Sequence, residues 1–200
     1  MVTVLPYFIQ MLIPALLGAF LWLLMKPIRR KRLAAAGRLA GPGRESALLL
    51  LYMFLGGLLA LTLTPAGFWP AVLQGQLPNL PPAFQGGINL TPIRQSWALL
   101  RYYIRHGLWN AVLVNFPGNI LIFMPIGLFA GLLADKPRWW KGTLLSFGLS
   151  LLIEFFQLFV SRGTDVDDLI LNTLGGLLGH GVFRLLRRVS LTLVRRCAKL

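Results

Sequence analysis

Four long stretches of this sequence carry no formal charge: residues 1–25, 46–93, 106–134 and 142–153 hold no Asp, Glu, Lys or Arg. A soluble domain breaks such runs with charged surface positions. A helix that crosses the hydrocarbon layer of a membrane needs about 20 mostly apolar residues, rising about 1.5 Å each. Composition agrees. The chain is 56% hydrophobic and 13% charged, where soluble domains average about 25% charged. The expectation is therefore an all-α, polytopic membrane helical bundle forming one domain over 1–200. Five spans are read, at 4–25, 46–64, 111–133, 143–160 and 168–186. The last is charge-free only over 169–183, which puts Asp168 and Arg184 at its two ends.

The formal net charge of +14 raises the question of nucleic acid. A nucleic-acid binder gathers its basic residues on one folded face. Here they stand in short blocks between apolar runs, as topology signals do, so no nucleic-acid partner is expected. Lys26, Arg29, Arg30, Lys31, Arg32, Arg38 and Arg44 occupy a loop at 26–45, three more lie in 134–142, and six follow from Arg184 onward. The opposite side receives Arg94, Arg101, Arg105 and Arg162. The positive-inside bias then sets the N-terminus outside and the C-terminus in the cytoplasm. The first span has no basic segment before it and no small-residue cleavage site after it, so it reads as a retained helix. Cys197 is the single cysteine and can form no intrachain disulfide.

The outer loop, 65–110, divides in two. From Pro65 to Gly87 it is rich in Pro and Gly and reads as irregular. From Thr91, a candidate cap with Pro92 at the first helical position, Trp97, Leu100, Ile104 and Leu108 recur at helical spacing, and Arg94, Arg101 and Arg105 lie off that face. This predicts an amphipathic helix in the outer interface, either a plain connector or a contact for anionic headgroups.

Polar side chains inside a span are costly and normally face partners in the bundle interior. Span three carries Asn115 and Asn119 on one face. Span four carries Ser150, Glu154, Gln157 and Ser161 in one stripe, and span five carries Asp168 and Asn172 followed by Gly175, Gly176 and Gly179. Counted from the outer ends, these residues lie roughly 5–12 Å deep at the helical rise. Arg162, Asp165 and Asp167 sit just above them. The layering predicts one polar chamber opening outward, in which a buried Glu154 must be paired or keep its proton. A buried Glu154–Arg162 pair with Asn and Gln as interhelical glue is the structural alternative. The Gly175–Gly179 pair reads as close helix packing, and His180 as a satisfied interior histidine. No nucleotide loop or zinc spacing is present. No cofactor is expected, with a divalent cation at Asp165 and Asp168, joined by Asp167, as the alternative.

The same residues resemble a known pattern. Asn119-Ile120-Leu121-Ile122-Phe123-Met124-Pro125-Ile126-Gly127 is similar to the asparagine–phenylalanine–proline–glycine signature of the VanZ-like family. So is Ser150 followed by Glu154, Gln157, Arg162, Asp165, Asp168, Asn172, Gly175, Gly176 and Gly179. Asn89-Leu90-Thr91-Pro92 resembles the family's outer-loop motif, with Ile93 where an aromatic is expected; the likeness spans 85–185. The resemblance implies a multi-pass protein of the bacterial inner membrane. The family's name-giving member is associated with low-level resistance to the glycopeptide teicoplanin.

Three functions follow as expectations. The leading one is recognition, from the outer leaflet, of a membrane lipid, a lipid-linked cell-wall intermediate or a glycopeptide. Asn89, Asn115, Asn119, Glu154, Gln157, Asp165, Asp168 and Asn172 would line the site, and Arg94, Arg101 and Arg162 would meet phosphate. The second is an enzyme acting on a lipid-linked phosphate or sugar with Glu154 as general base. The third is an assembly partner that docks another membrane protein through this polar layer.

Overall fold

The computed structural model describes residues 5–37, 39, 41–65, 68–76, 82–160 and 162–198. Helix α1 (Leu5–Ala35) and helix α2 (Pro42–Leu63) form an antiparallel pair. A short helix α3 (Phe68–Leu73) follows, then strand β1 (Ile88–Asn89), helix α4 (Arg94–Arg105), helix α5 (Trp109–Asn115) and helix α6 (Pro117–Leu133). Helix α7 (Trp139–Gln157) ends in a 3-10 turn, Leu158–Val160. Strand β2 (Thr164–Asp165) leads into helix α8 (Val166–Val189), and helix α9 (Leu191–Ala198) closes the described chain. Five helical segments are long and apolar enough to cross a membrane: Gln10–Ala35, Pro42–Leu63, Trp109–Leu133, Trp139–Val160 and Val166–Val189. The chain is an all-α polytopic bundle.

The tightest packing joins α6 to α8. Between membrane helices there is little hydrophobic drive, so backbones must approach closely to gain dispersion, and small residues permit it. Glycines line this seam from both sides. A methyl group on Gly127 would collide with the Gly176 carbonyl, one on Gly175 with the Ile120 carbonyl, and one on Gly179 with the Met124 carbonyl. Phe123, 1% exposed, joins Leu58, Ile126 and Ile153 in one core cluster. Phe183 joins Leu132 and Val194 in a second cluster at the opposite end.

The helix ends explain where several polar residues go. A helix leaves its last four carbonyls without partners, and lipid supplies no donors. At the C-terminal end of α2, Gln10 Nε2 donates to Ala60 O at 3.2 Å and Thr64 O at 2.9 Å. Gln157 Nε2 donates to Thr62 O at 3.1 Å, and Arg162 Nη1 donates to Leu61 O and Thr62 O at 2.7 and 2.8 Å. At the other end of the bundle, Arg44 Nη1 donates to Leu133 O at the end of α6, 2.7 Å away. Arg29 pairs with the buried Glu45 at 2.8 Å.

Five expectations need correction. The basic segment 26–45 is not a loop throughout: α1 runs on to Ala35 and α2 starts at Pro42, so Lys26, Arg29, Arg30, Lys31, Arg32 and Arg44 lie in helices. The stretch from Pro65 is not wholly irregular, since Phe68–Leu73 is helical. The third span is broken at Phe116, where Pro117, which has no N–H to donate, starts a new helix. Thr91 does not cap the amphipathic helix. Its N–H and hydroxyl both turn back to Asn89 Oδ1, and α4 begins two residues later than Pro92. The segment after α8, read as a basic tail, is helical over Leu191–Ala198. Ser161, part of the fourth-span stripe, lies outside the described residues.

Candidate functional site

The site is built where the 65–110 loop docks on the turn between α7 and α8. β1 and β2 pair in parallel, Ile88 with Thr164 and Asn89 with Asp165, and Thr164 N donates to Gly87 O at 3.0 Å. The approach is close enough that a side chain at Gly86 would strike the Arg162 carbonyl. Asp165 has an extended backbone, and its side chain accepts from Asp167 N at 2.9 Å, which makes it the N-cap of α8. Asp167 and Asp168 follow in the first turn, where the positive end of the helix dipole favours anions.

Around this cap the polar residues fall into two layers. In the upper one, Asn89 Nδ2 donates to Asp165 Oδ1 at 3.0 Å and Asn119 Nδ2 to Asp168 Oδ1 at 2.6 Å. Glu154 Oε2 accepts from Asp165 N at 3.0 Å. Ile93 N donates to Asp167 Oδ1 at 2.7 Å. Ile93 stands at φ +68°, a left-handed conformation that costs a β-branched residue about 1–3 kcal/mol; the Asp167 carboxylate holds it there. One turn deeper, Asn172 Nδ2 donates to Ser150 Oγ at 2.9 Å inside the α7–α8 contact.

The single chamber expected from sequence is therefore divided. Asn89, Asn119, Glu154, Asp165 and Asp168 come together in the upper layer, while Asn172 belongs to a buried α7–α8 contact below it, its Oδ1 without a partner. Gln157 and Arg162 belong to the end of α2. The expected Glu154–Arg162 pair is absent, because the free carbonyls of α2 draw the guanidinium away. Asn115 is exposed and donates to Ala111 O of its own helix. Arg94 and Arg101 are exposed on α4. Among the described residues no three His, Cys, Asp or Glu side chains are placed to hold a metal ion.

Asp167, named in the sequence only as a cation ligand, is the residue the site reading missed. It is buried, and its Oδ2 has no hydrogen-bond partner. It lines a groove of 260 Å³ between α4 and α8, whose other walls include Trp97, Leu100, Phe116, Ile170 and Leu171. Glu154 does not line that groove. Ser146, four residues before Ser150 and wholly buried with an unpartnered hydroxyl, extends the α7 stripe. Gln10 was also missed, although it is the one amide in the first span.

Arg162 now has a defined test. Arg162→Gln should lower stability by about 1 kcal/mol, the net value of an exposed charged hydrogen bond, and leave helical content unchanged. Thermal unfolding and circular dichroism in detergent on the same preparation check both halves.

A model of the VanZ/LLP1 family matches residues 49–187. The chain belongs to the VanZ/LLP1 family. Comparison with curated proteins and with solved structures gives no match. The matched region of this VanZ/LLP1 protein begins within α2 and ends near the end of α8. It therefore contains the glycine seam and both polar layers together with the docked outer loop.

Proposed function

We propose that this VanZ/LLP1 protein is a recognition protein of the bacterial inner membrane. It would bind a lipid-tailed cell-envelope ligand, a lipid-linked wall intermediate or an acyl-bearing glycopeptide, at the outer leaflet. The observation that carries the proposal is a groove, apolar apart from Ser96, that is lined by Asp167, whose buried Oδ2 has no hydrogen-bond partner. A buried carboxylate oxygen without a donor is costly, and a ligand's amine or hydroxyl would satisfy it. The groove beside it suits a chain, and Arg94 and Arg101 on α4 would meet a phosphate or carboxylate at the interface. A role in glycopeptide resistance would follow from such binding. Glu154, whose carboxylate accepts the Asp165 N–H, positions the loop in this reading and is not a base.

Asp167→Asn keeps an acceptor for Ile93 N while removing the charge. Its affinity for an amino-sugar-bearing polyprenyl phosphate should fall about tenfold, the factor of one charge-assisted hydrogen bond. Affinity for polyprenyl phosphate itself should change little. Titration of the purified protein in nanodiscs measures both, and equal affinities of the unaltered and Asp167→Asn proteins for the amino-sugar lipid would refute the proposal.

The proposal also requires the β1–β2 end of the bundle to face outward. Cys197, the single cysteine, then lies on the cytoplasmic side. Burial pushes its thiol up, so labelling should be done above neutral pH, where the thiolate forms. A membrane-impermeant maleimide should label Cys197 in inverted vesicles and not in intact cells. The opposite pattern would reverse the topology.

A further inference from the structure

The end of the bundle away from the polar layers has a cavity of its own. It encloses 360 Å³ between the start of α7 and the last turns of α8, within the range of small-ligand sites, about 300–1,000 Å³. Arg138, Trp139 and Trp140 line one side, and His180, Arg184 and Arg187 line the other. The three α8 residues are spaced by four and three, so they share one face. None of the three arginines has a carboxylate partner among the described residues. His180 is 6% exposed, and its Nδ1 has no hydrogen-bond partner. The sequence reads it as a satisfied interior histidine; the structure leaves one ring nitrogen unsatisfied, one turn below Arg184.

Each feature alone has an ordinary explanation. Arginines at a helix C-terminus complement the dipole, and tryptophans gather at membrane interfaces. The combination asks for more. Cations converge from two elements on one cavity, two tryptophans share its lining, and so does a histidine with a buried, unpartnered ring nitrogen. We propose that this cavity binds the phosphate of an anionic phospholipid from the leaflet at that end of the bundle. Arg138, Arg184 and Arg187 would take the phosphate oxygens. His180 would reach a glycerol or ester oxygen, and Trp139 and Trp140 would lie along the first carbons of the chains. Basic pockets between helices on the cytoplasmic side of membrane proteins hold anionic headgroups in this manner. The site is separate from the outer groove and stands or falls independently of it.

Native mass spectrometry of the full-length protein, offered equal amounts of phosphatidylglycerol and phosphatidylcholine, tests the proposal. Phosphatidylglycerol should be retained preferentially. The pair Arg184→Gln/Arg187→Gln should weaken its retention about tenfold or more, the factor for losing a charge-assisted hydrogen bond. The charge-matched pair Arg195→Gln/Arg196→Gln on α9 should leave it unchanged. Equal retention of the two lipids, or equal loss in both double variants, would overturn the site. Displacement of the lipid by excess inorganic phosphate would assign the cavity to a free anion and overturn it as well. If the α8 pair does not fold, a photoactivatable phosphatidylglycerol on the unaltered protein decides. Crosslinks within 137–140 and 180–187 support the proposal, and crosslinks confined elsewhere refute it.

Discussion

Gly179→Ala should leave almost no folded protein. The added methyl would lie on the Met124 carbonyl oxygen, with the Met124 backbone carbon and Cα also inside contact distance. Overpacking usually costs about 1–3 kcal/mol because neighbouring side chains can rotate away. Here the obstacle is backbone in the middle of a helix, so relief requires α6 and α8 to separate. That separation would break the Gly127 and Gly175 approaches on the same seam and lengthen the Asn119–Asp168 bond that α6 makes to α8. The expected loss is at least about 3 kcal/mol, seen as a collapse in the yield of monodisperse protein. Gly181→Ala, on the same helix with open space around it, is the control and should be silent or slightly stabilising through helix propensity. If the two alanine variants behave alike, the seam does not hold the fold.

Much of this architecture is legible in the amino acids because the membrane simplifies the problem. Charge-free runs mark spans two to five within a few residues, whereas the first helix runs on through the basic block to Ala35, and the Gly175–Gly179 spacing points to a close helix crossing before any partner is known. The outer half of the protein is less legible. Helical periodicity places Asn119, Glu154 and Asn172 at similar depth, but depth does not say what each meets. Arg162 illustrates the difficulty. Beside Glu154 in the sequence it looks like an ion-pair partner, yet the unsatisfied carbonyls at the end of α2, about a hundred residues away in the chain, are the stronger attraction. Asn115 fails for a local reason, since the break at Phe116 turns it outward. Asp167 has the reverse history. In sequence it is one of three adjacent acids, and only the fold separates it: Asp165 becomes the cap and Asp168 meets Asn119, which leaves Asp167 with one oxygen on Ile93 and the other bare.

The residue series that resembles the VanZ-like signature acquires a physical meaning from this division. Phe123, Gly127, Gly175 and Gly179 bring α6 and α8 together. Asn119 ties α6 to α8 through Asp168, and Asn89, Asp165 and Asp167, with Glu154 holding the Asp165 N–H, fasten the 65–110 loop over the end of that pair, which carries α4 and its apolar face to the side of α8. The groove lined by Asp167 exists only while that loop is fastened. Most of the polar series therefore acts on the groove indirectly, by holding one of its walls.

Asp165 is where that dependence is most concentrated, and Asp165→Ala should release the loop. Its side chain caps α8, a contact that costs about 0.5–2 kcal/mol to remove. The same carboxylate oxygen accepts from Asn89 Nδ2, and a hydrogen bond to a charged group contributes about 1.5–3 kcal/mol. With both gone, the Asn89 side chain keeps only its local turn with Thr91, and β1 is left with its backbone pairing to β2 alone. The five spans should survive, since the α6–α8 seam is untouched, but α4 should detach often enough for protease to reach it. Arg94, Arg101 and Arg105 supply trypsin sites on α4. Cleavage there should accelerate about tenfold for each 1.4 kcal/mol lost from closure, while helical content stays near that of the unaltered protein. Asp165→Asn keeps a good N-cap and an acceptor for Asn89, so it should fall between the two. If trypsin cuts Asp165→Ala no faster than the unaltered chain, the outer loop is held by something other than this carboxylate, and the groove does not depend on the polar layer.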